Sequence, residues 1–158
     1  MLESDVTKAV WNYLKAEGWE ILGVHYPGAS GGLYFHRQER AEKGARGALV
    51  VDIVARKQSD VLFVESKVRY DPKDTEKLIM LTTEPAYRQS ILAALGIALG
   101  EEVHFLRGIA VHQINLRRHH LPDEFFLFRY SVAVEVWGTY PKEQGQLLFN
   151  DYRVLPLY

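Results

Sequence analysis

Two apolar segments near the middle of the chain, separated by four polar residues, constrain its fold more than any other feature. Residues 48–56 read ALVVDIVAR and residues 61–68 read VLFVESKV, with KQSD between them. Both segments are rich in valine, and two such runs joined by a short polar turn are typical of a β-hairpin. The sequence therefore predicts two neighbouring antiparallel strands in the core of the protein.

Three charged residues interrupt these apolar strands: Asp52 in the first, and Glu65 and Lys67 in the second. Burying an ionised carboxylate is unfavourable unless the group is paired, protonated or bound to a cation. Because side chains alternate along a strand, Glu65 and Lys67 share one face and Ser66 lies on the other. We therefore expect the hairpin to bring three charged groups to one place.

The remaining segments predict an α/β fold. A helix is expected over residues 3–17, where apolar side chains recur every three or four positions, and a strand over 19–26. The other predicted elements are a glycine-rich loop over 27–47, helical structure over 74–99 that Pro85 breaks before a stronger helix at 84–99, and strands over 103–115, 125–137 and 146–155. This order predicts an α/β/α sandwich with a central mixed sheet and a β-rich C-terminal third.

Length and composition narrow the class of protein. The chain has 158 residues, which suggests a single domain, with a core over about 3–100 and a β-rich extension over about 101–158. It has no cysteine, which excludes disulfides and Cys-ligated zinc or iron–sulfur sites. Its formal net charge is −1, so nucleic-acid binding would require a local basic patch.

The sequence gives no sign of a membrane protein or a secreted one. No apolar run approaches the ~18 residues of a membrane span. The N-terminal residues, MLESDVTKAV, are acidic and polar, unlike a signal peptide. We therefore expect a cytoplasmic protein without membrane contact.

Two carboxylates beside a lysine suit metal-assisted hydrolysis of phosphodiester bonds. Mg²⁺ and Mn²⁺ both accept hard oxygen ligands, and two carboxylates leave positions for water and a phosphate oxygen. The metal polarises the phosphoryl group and makes a bound water more acidic. A lysine beside it can orient that water or stabilise the charge that develops on the phosphate. The alternative is that Asp52, Glu65 and Lys67 form only cross-strand ion pairs in an inactive sheet.

The pattern D-x12-E-x-K from Asp52 to Lys67, with DIVA at 52–55, resembles the PD-(D/E)xK nuclease superfamily. That superfamily includes restriction enzymes, Holliday-junction resolvases and nucleases of repair and recombination. The resemblance covers residues 3–68 and does not extend to the C-terminal third. One departure is Val51, which stands where the family loosely keeps a proline.

This resemblance implies a restriction-endonuclease-like fold and a set of roles for the matching residues. Asp52 and Glu65 would bind Mg²⁺ or Mn²⁺, the backbone carbonyl of Ser66 would add a metal ligand, and Lys67 would be catalytic. The family often adds a glutamate from its first helix, and Glu3 is the candidate here. Glu3 shares the helix face of the apolar Val6 and Val10, whereas Asp5 points roughly 100° or more away, at ~100° per residue.

Basic residues recur at intervals of three in the glycine-rich loop, and they are Arg37, Arg40, Lys43 and Arg46. Such residues can follow a nucleic-acid backbone, because phosphate contacts supply most of the affinity that does not depend on sequence. The alternative is a solvated loop, in which Glu39 and Glu42 offset part of the positive charge.

These features together predict a Mg²⁺- or Mn²⁺-dependent endonuclease acting on DNA, and branched or single-stranded DNA is compatible with this prediction. Defence, repair, recombination and mobile-element processing are all compatible with this core. A homodimer is expected, because cleaving both strands of a duplex often requires two active sites, and a further protein subunit is also compatible. The alternative function is a module on the same fold that binds nucleic acid or a protein partner without cleaving.

Overall fold

A computed structural model describes residues 1–27, 31–37, 48–116 and 120–155 of the chain. Within these ranges the chain forms four helices and nine strands. They are α1 (Glu3–Ala16), β1 (Glu20–Val24), β2 (Tyr34–Phe35), β3 (Leu49–Val50), β4 (Ile53–Lys57), β5 (Asp60–Lys67), α2 (Pro72–Thr83), α3 (Pro85–Leu95), β6 (His104–Val111), β7 (Phe125–Tyr130), β8 (Val134–Gly138), α4 (Lys142–Leu148) and β9 (Tyr152–Val154).

Seven strands form one mixed sheet in the order β1-β4-β5-β6-β7-β8-β9. The predicted hairpin is confirmed: β4 and β5 pair antiparallel, from Ile53 opposite Val64 to Lys57 opposite Asp60. β5 then pairs in parallel with β6, and β6 with β7. Because β5 lies between β4 and β6, the charged residues Glu65 and Lys67 are in the interior of the sheet and not at its edge.

Helices pack on both faces of this sheet. On one face, Val6, Val10 and Leu14 of α1 join Leu62 and Val64 of β5 in a hydrophobic cluster. α4 lies on the same side, where Leu148 packs against that cluster. On the opposite face, α2 and α3 contribute Leu78, Leu81, Tyr87, Ile91 and Leu92 to a second cluster. The predicted α/β class with a central mixed sheet is therefore confirmed.

The strand predicted over 48–56 is wrong as a single element. The chain bends at Asp52, so that β3 pairs with the short β2 and β4 joins the large sheet. Contacts made by Asp52 explain the bend. Its side chain accepts a hydrogen bond from the Ser66 backbone N–H (2.7 Å), and its carbonyl accepts one from the His25 N–H (2.8 Å).

The helical region after β5 begins earlier than its predicted start. Asp71 caps α2 by accepting a hydrogen bond from the Lys73 N–H (3.0 Å), and Pro72 occupies the first turn, where its missing donor is not needed. The predicted break at Pro85 is confirmed, and α3 begins there. α3 ends at Leu95, short of the predicted residue 99, because Gly96 adopts a left-handed conformation (φ 66°).

Two predicted strands in the C-terminal third are wrong. Residues 125–137 form a hairpin of β7 and β8 with a turn at 131–133, and not one strand. Most of the strand predicted over 146–155 is replaced by α4 and a connecting turn, and only the short β9 remains. Apolar residues at 147–149 fit the end of a short helix as well as a strand, so periodicity alone cannot separate the two.

The aromatic segment of β7 belongs to the core of a single chain. Phe125, Phe126 and Phe128 are all fully buried, the last two in contact with Phe149. These side chains therefore need no second copy to cover them, and they lend no support to the expected homodimer. None of the helices in the described ranges has the length and apolar character that a transmembrane span requires.

Candidate active site

All four residues predicted to be catalytic line one cleft with a volume of about 530 Å³. Asp52 lies at the bend before β4, and Glu65 and Lys67 lie near the end of β5. Glu3 is the first residue of α1. The structure places Glu3, and not Asp5, in this cleft; the Asp5 carboxylate instead accepts a hydrogen bond from the Leu2 N–H (2.8 Å).

The half-buried Asp52 and the buried Glu65 form a carboxyl pair. Each side chain shifts the pKa of the other, and a hydrogen bond between two carboxyls requires that one of them carry a proton. Only 3% of the surface of Glu65 is exposed. Burial raises the pKa of Glu65 to about 8, and the hydrogen bond to Asp52 and its charge act in the same direction. Burial also raises the pKa of Asp52, against hydrogen bonds from Glu65 and the Ser66 N–H that lower it.

Lys77 of α2 enters the buried part of the cleft. Its ammonium forms an ion pair with Glu65 Oε1 and donates a hydrogen bond to the Val50 carbonyl. The Lys77 side chain is 28% exposed and the Glu65 side chain 4% exposed, so water screens this pair only weakly.

Lys67 lies at the open mouth of the cleft. Its ion pair is with Glu3 at 3.6 Å, and the two side chains are 38% and 42% exposed. Partial burial lowers the pKa of Lys67, but the charges of four carboxylates outweigh it and raise that pKa overall. Those carboxylates are Asp74, Glu3, Asp52 and Glu65. Lys67 therefore remains a cation within the electrostatic reach of both predicted metal ligands.

Sequence reasoning missed Asp74 and Lys77. Burial raises the pKa of Asp74 to about 6, and the charge of Glu65 adds to that effect. Its Oδ2 atom is buried and has no hydrogen-bond partner. A signal was present in the sequence: the two residues are three apart near the start of a predicted helix, so they share one helix face.

The structure does not bring Arg37 to this cleft. Its guanidinium lies where α2 and α3 meet, 3.1 Å from the Glu84 carboxylate, and it donates a hydrogen bond to the Tyr87 hydroxyl (3.2 Å). Arg40, Lys43 and Arg46 lie outside the described residues. Nucleic-acid binding by these four basic residues stays a prediction.

Two residues of the cleft, Asp52 and Glu65, could bind a divalent cation through their carboxylates. Among the described residues, no group of three or more His, Cys, Asp or Glu side chains is arranged to hold a metal ion. Mg²⁺, however, is usually held by one or two carboxylates together with water and substrate phosphate. Asp52 and Glu65, whose pKa values are both raised, supply those ligands, because a bound cation would favour the ionised form of both carboxyls. The Ser66 carbonyl stays a predicted ligand.

Comparisons with known proteins found nothing similar: no protein-family model, no curated protein and no solved structure matches the chain.

Proposed function

We propose that the protein is a Mg²⁺- or Mn²⁺-dependent nuclease of the PD-(D/E)xK type, with a restriction-endonuclease-like fold, that hydrolyses phosphodiester bonds in DNA. The observation that carries this proposal is the cleft in which Asp52 and the buried Glu65 form a carboxyl pair, with Lys67 and Lys77 lining the same cleft. Carboxylates next to a mobile ammonium are the groups needed to hold a cation and a phosphate together.

Each residue has a distinct task in this proposal. Asp52 and Glu65 hold the cation, and the Ser66 N–H keeps the Asp52 carboxylate in place. When bound, the cation polarises the scissile phosphate and acidifies a water molecule. Lys67 stands at the mouth, where its ammonium stabilises the charge that develops on the phosphate. Glu3 acts through Lys67, as a positioning residue that holds the ammonium near the cleft.

Two further residues of the cleft bear on how a nucleic acid could be bound. Ala48, which follows the segment that carries Arg40, Lys43 and Arg46, lines the cleft. Tyr26 also lines it, and the Lys8 ammonium lies 5.0 Å from the centre of the Tyr26 ring. In the proposal, DNA phosphates outside the cleft contact these basic residues, whose charge supplies affinity that does not depend on sequence.

Cleavage of a panel of DNA substrates tests the proposal. Supercoiled, linear, single-stranded and branched DNA would be incubated with the purified protein in Mg²⁺, Mn²⁺ or EDTA. We expect metal-dependent cleavage that Asp52→Asn and Lys67→Ala each reduce by at least about a hundredfold, as for loss of groups that act on the reacting atoms. Lys142→Ala is the matched control, because Lys142 is exposed on α4 and does not line the cleft.

The alternative is a module that binds DNA without cleaving it. One observation favours it: Lys67 forms its ion pair with Glu3 and not with Asp52 or Glu65. Salt-sensitive DNA binding without product under any divalent ion would contradict the nuclease proposal and support this alternative. A homodimer or a further subunit is proposed only as the assembly that would cut both strands of a duplex. Light scattering of the purified protein measures its molar mass and so tests whether it is a dimer.

A further inference from the structure

The ammonium of Lys77 contacts two oxygen atoms of the cleft. It contacts Glu65 Oε1 and the Val50 carbonyl oxygen, and Glu65 is itself hydrogen-bonded to Asp52. Carboxylate and carbonyl oxygens are the ligands that a hard divalent cation would take. In the described structure, the positive charge among these oxygens is supplied by a side chain of the protein.

The two lysines of the cleft are therefore not equivalent. Lys67 is paired with the half-exposed Glu3 at the mouth, whereas Lys77 is paired with the buried Glu65. A divalent cation bound by Glu65 and Asp52 would lie close to the Lys77 ammonium. Two positive charges at such a distance repel strongly in a partly buried site, so they would compete for the same carboxylate.

We propose that Lys77 is the resident counter-ion of the Asp52–Glu65 carboxyl pair, that a divalent cation displaces it from this pair, and that the released ammonium then faces the substrate phosphate. This inference rests on the proposed function and adds a phosphate-binding residue that the D-x12-E-x-K pattern does not contain. It assigns to Lys77 two opposite effects: the residue weakens metal binding and strengthens the interaction with phosphate.

Mn²⁺ binding, measured by electron paramagnetic resonance without any DNA, tests the first effect. Replacing Lys77 by an uncharged side chain of similar length removes the competing charge. We expect Lys77→Met to bind Mn²⁺ about tenfold more tightly than the wild-type protein, and Lys77→Arg, which keeps the charge, to bind it with nearly wild-type affinity. Lys73→Met is the matched control, because Lys73 is exposed on the same helix and does not line the cleft.

Wild-type protein gives a second measurement that does not depend on folding of a variant. In proton–nitrogen correlation spectra of lysine ammonium groups, the buried pair should make the Lys77 signal visible without metal, and Lys77→Arg assigns it. Addition of Mg²⁺ should shift or remove this signal and leave that of Lys73 unchanged. A Lys77 signal that Mg²⁺ does not affect would overturn the displacement.

The outcomes separate this inference from the proposed function. Unchanged or weaker Mn²⁺ binding by a folded Lys77→Met protein, with normal binding by the wild type, overturns the inference and leaves the nuclease proposal standing. Failure of the wild-type protein to bind Mn²⁺ at millimolar concentrations contradicts both. Tighter Mn²⁺ binding together with slower DNA cleavage by Lys77→Met supports both effects assigned to the residue.

Discussion

Glu65 illustrates how the site depends on individual residues. Its carboxyl group is almost fully buried, between Asp52 on one side and Lys77 on the other. Either neighbour alone would set its charge differently: Asp52 favours the protonated form and Lys77 the ionised one. A group balanced in this way can exchange a proton for a cation, which is the property that a metal ligand needs.

Glu3 gives a prediction at the same scale. Its ion pair with Lys67 is about two-fifths exposed, so Glu3→Gln should change the free energy of unfolding by less than about 1 kcal/mol. If Glu3 positions the Lys67 ammonium, the same variant should cut DNA about 10–100-fold more slowly, the range for loss of a supporting partner. Urea denaturation and initial cleavage rates measure the two quantities.

Asp5→Asn is the matched control for Glu3→Gln, because Asp5 lies on the same first helical turn but not in the cleft. DNA cleavage by Glu3→Gln at the wild-type rate would show that Glu3 does not position the Lys67 ammonium. A large loss of stability would instead indicate a structural role.

The elements explain why these residues meet. β5 pairs with β4 on one side and β6 on the other, which fixes the backbone of Glu65 and Lys67. α2 then returns across the face that carries Phe63 and Glu65, bringing Lys77 over the strand. The first turn of α1 reaches Lys67 where β5 ends. Each of three elements thus supplies part of the charge in the cleft.

The helix α4 gives a prediction at this scale. Gly145 lies in its middle, and an added Cβ would overlap the ring of Tyr152, which is 2% exposed and donates a hydrogen bond to the Tyr140 carbonyl (2.9 Å). Gly145→Ala should therefore destabilise the protein by about 1–3 kcal/mol, although alanine favours helices by about 1 kcal/mol over glycine. Urea denaturation measures the difference.

Gln146→Ala serves as the control for Gly145→Ala, since Gln146 is exposed on the same helix and its loss should change stability by no more than about 0.5 kcal/mol. A stabilised Gly145→Ala protein would mean that Tyr152 does not pack against α4.

At the scale of the whole molecule, the carboxyl groups of the cleft make the free energy of unfolding depend on pH. The pKa values of Glu65 and Asp74 are raised in the folded protein to about 8 and about 6. At a pH between the ordinary and the raised pKa of each group, the folded protein therefore binds more protons than the unfolded chain. The stability that these groups contribute is fully present when the pH is below their ordinary pKa values. It is lost as the pH rises through their pKa values in the folded protein. The metal-free protein should therefore become less stable from acidic to mildly alkaline pH.

Urea denaturation in EDTA at about pH 5 and about pH 8.5 tests this. The wild-type protein should lose on the order of 3 kcal/mol between the two conditions through Glu65. Glu65→Gln cannot ionise and should lose clearly less, whereas Glu76→Gln, exposed on α2, should behave as the wild type does. Equal losses in all three proteins would show that Glu65 is ionised throughout.

The sequence by itself determined the parts of this protein that depend on local pattern. The β4–β5 hairpin, the amphipathic α1 and the break at Pro85 all follow from side-chain periodicity and turn chemistry, which act over a few residues. The alternation of side chains also placed Glu65 and Lys67 on one face of β5, and helical periodicity selected Glu3, which the structure places beside Lys67.

Only the tertiary structure decided which charges share the cleft. Lys77 and Asp74 are separated from Asp52 by the whole of β5, and α2 meets β5 through packing of Leu78 and Leu81 that no local pattern specifies. The same holds for α4, whose apolar residues fit a helix or a strand until Tyr152 packs against Gly145. Periodicity assigns a side chain to a face, but contacts between elements distant in sequence determine which charged groups lie opposite it.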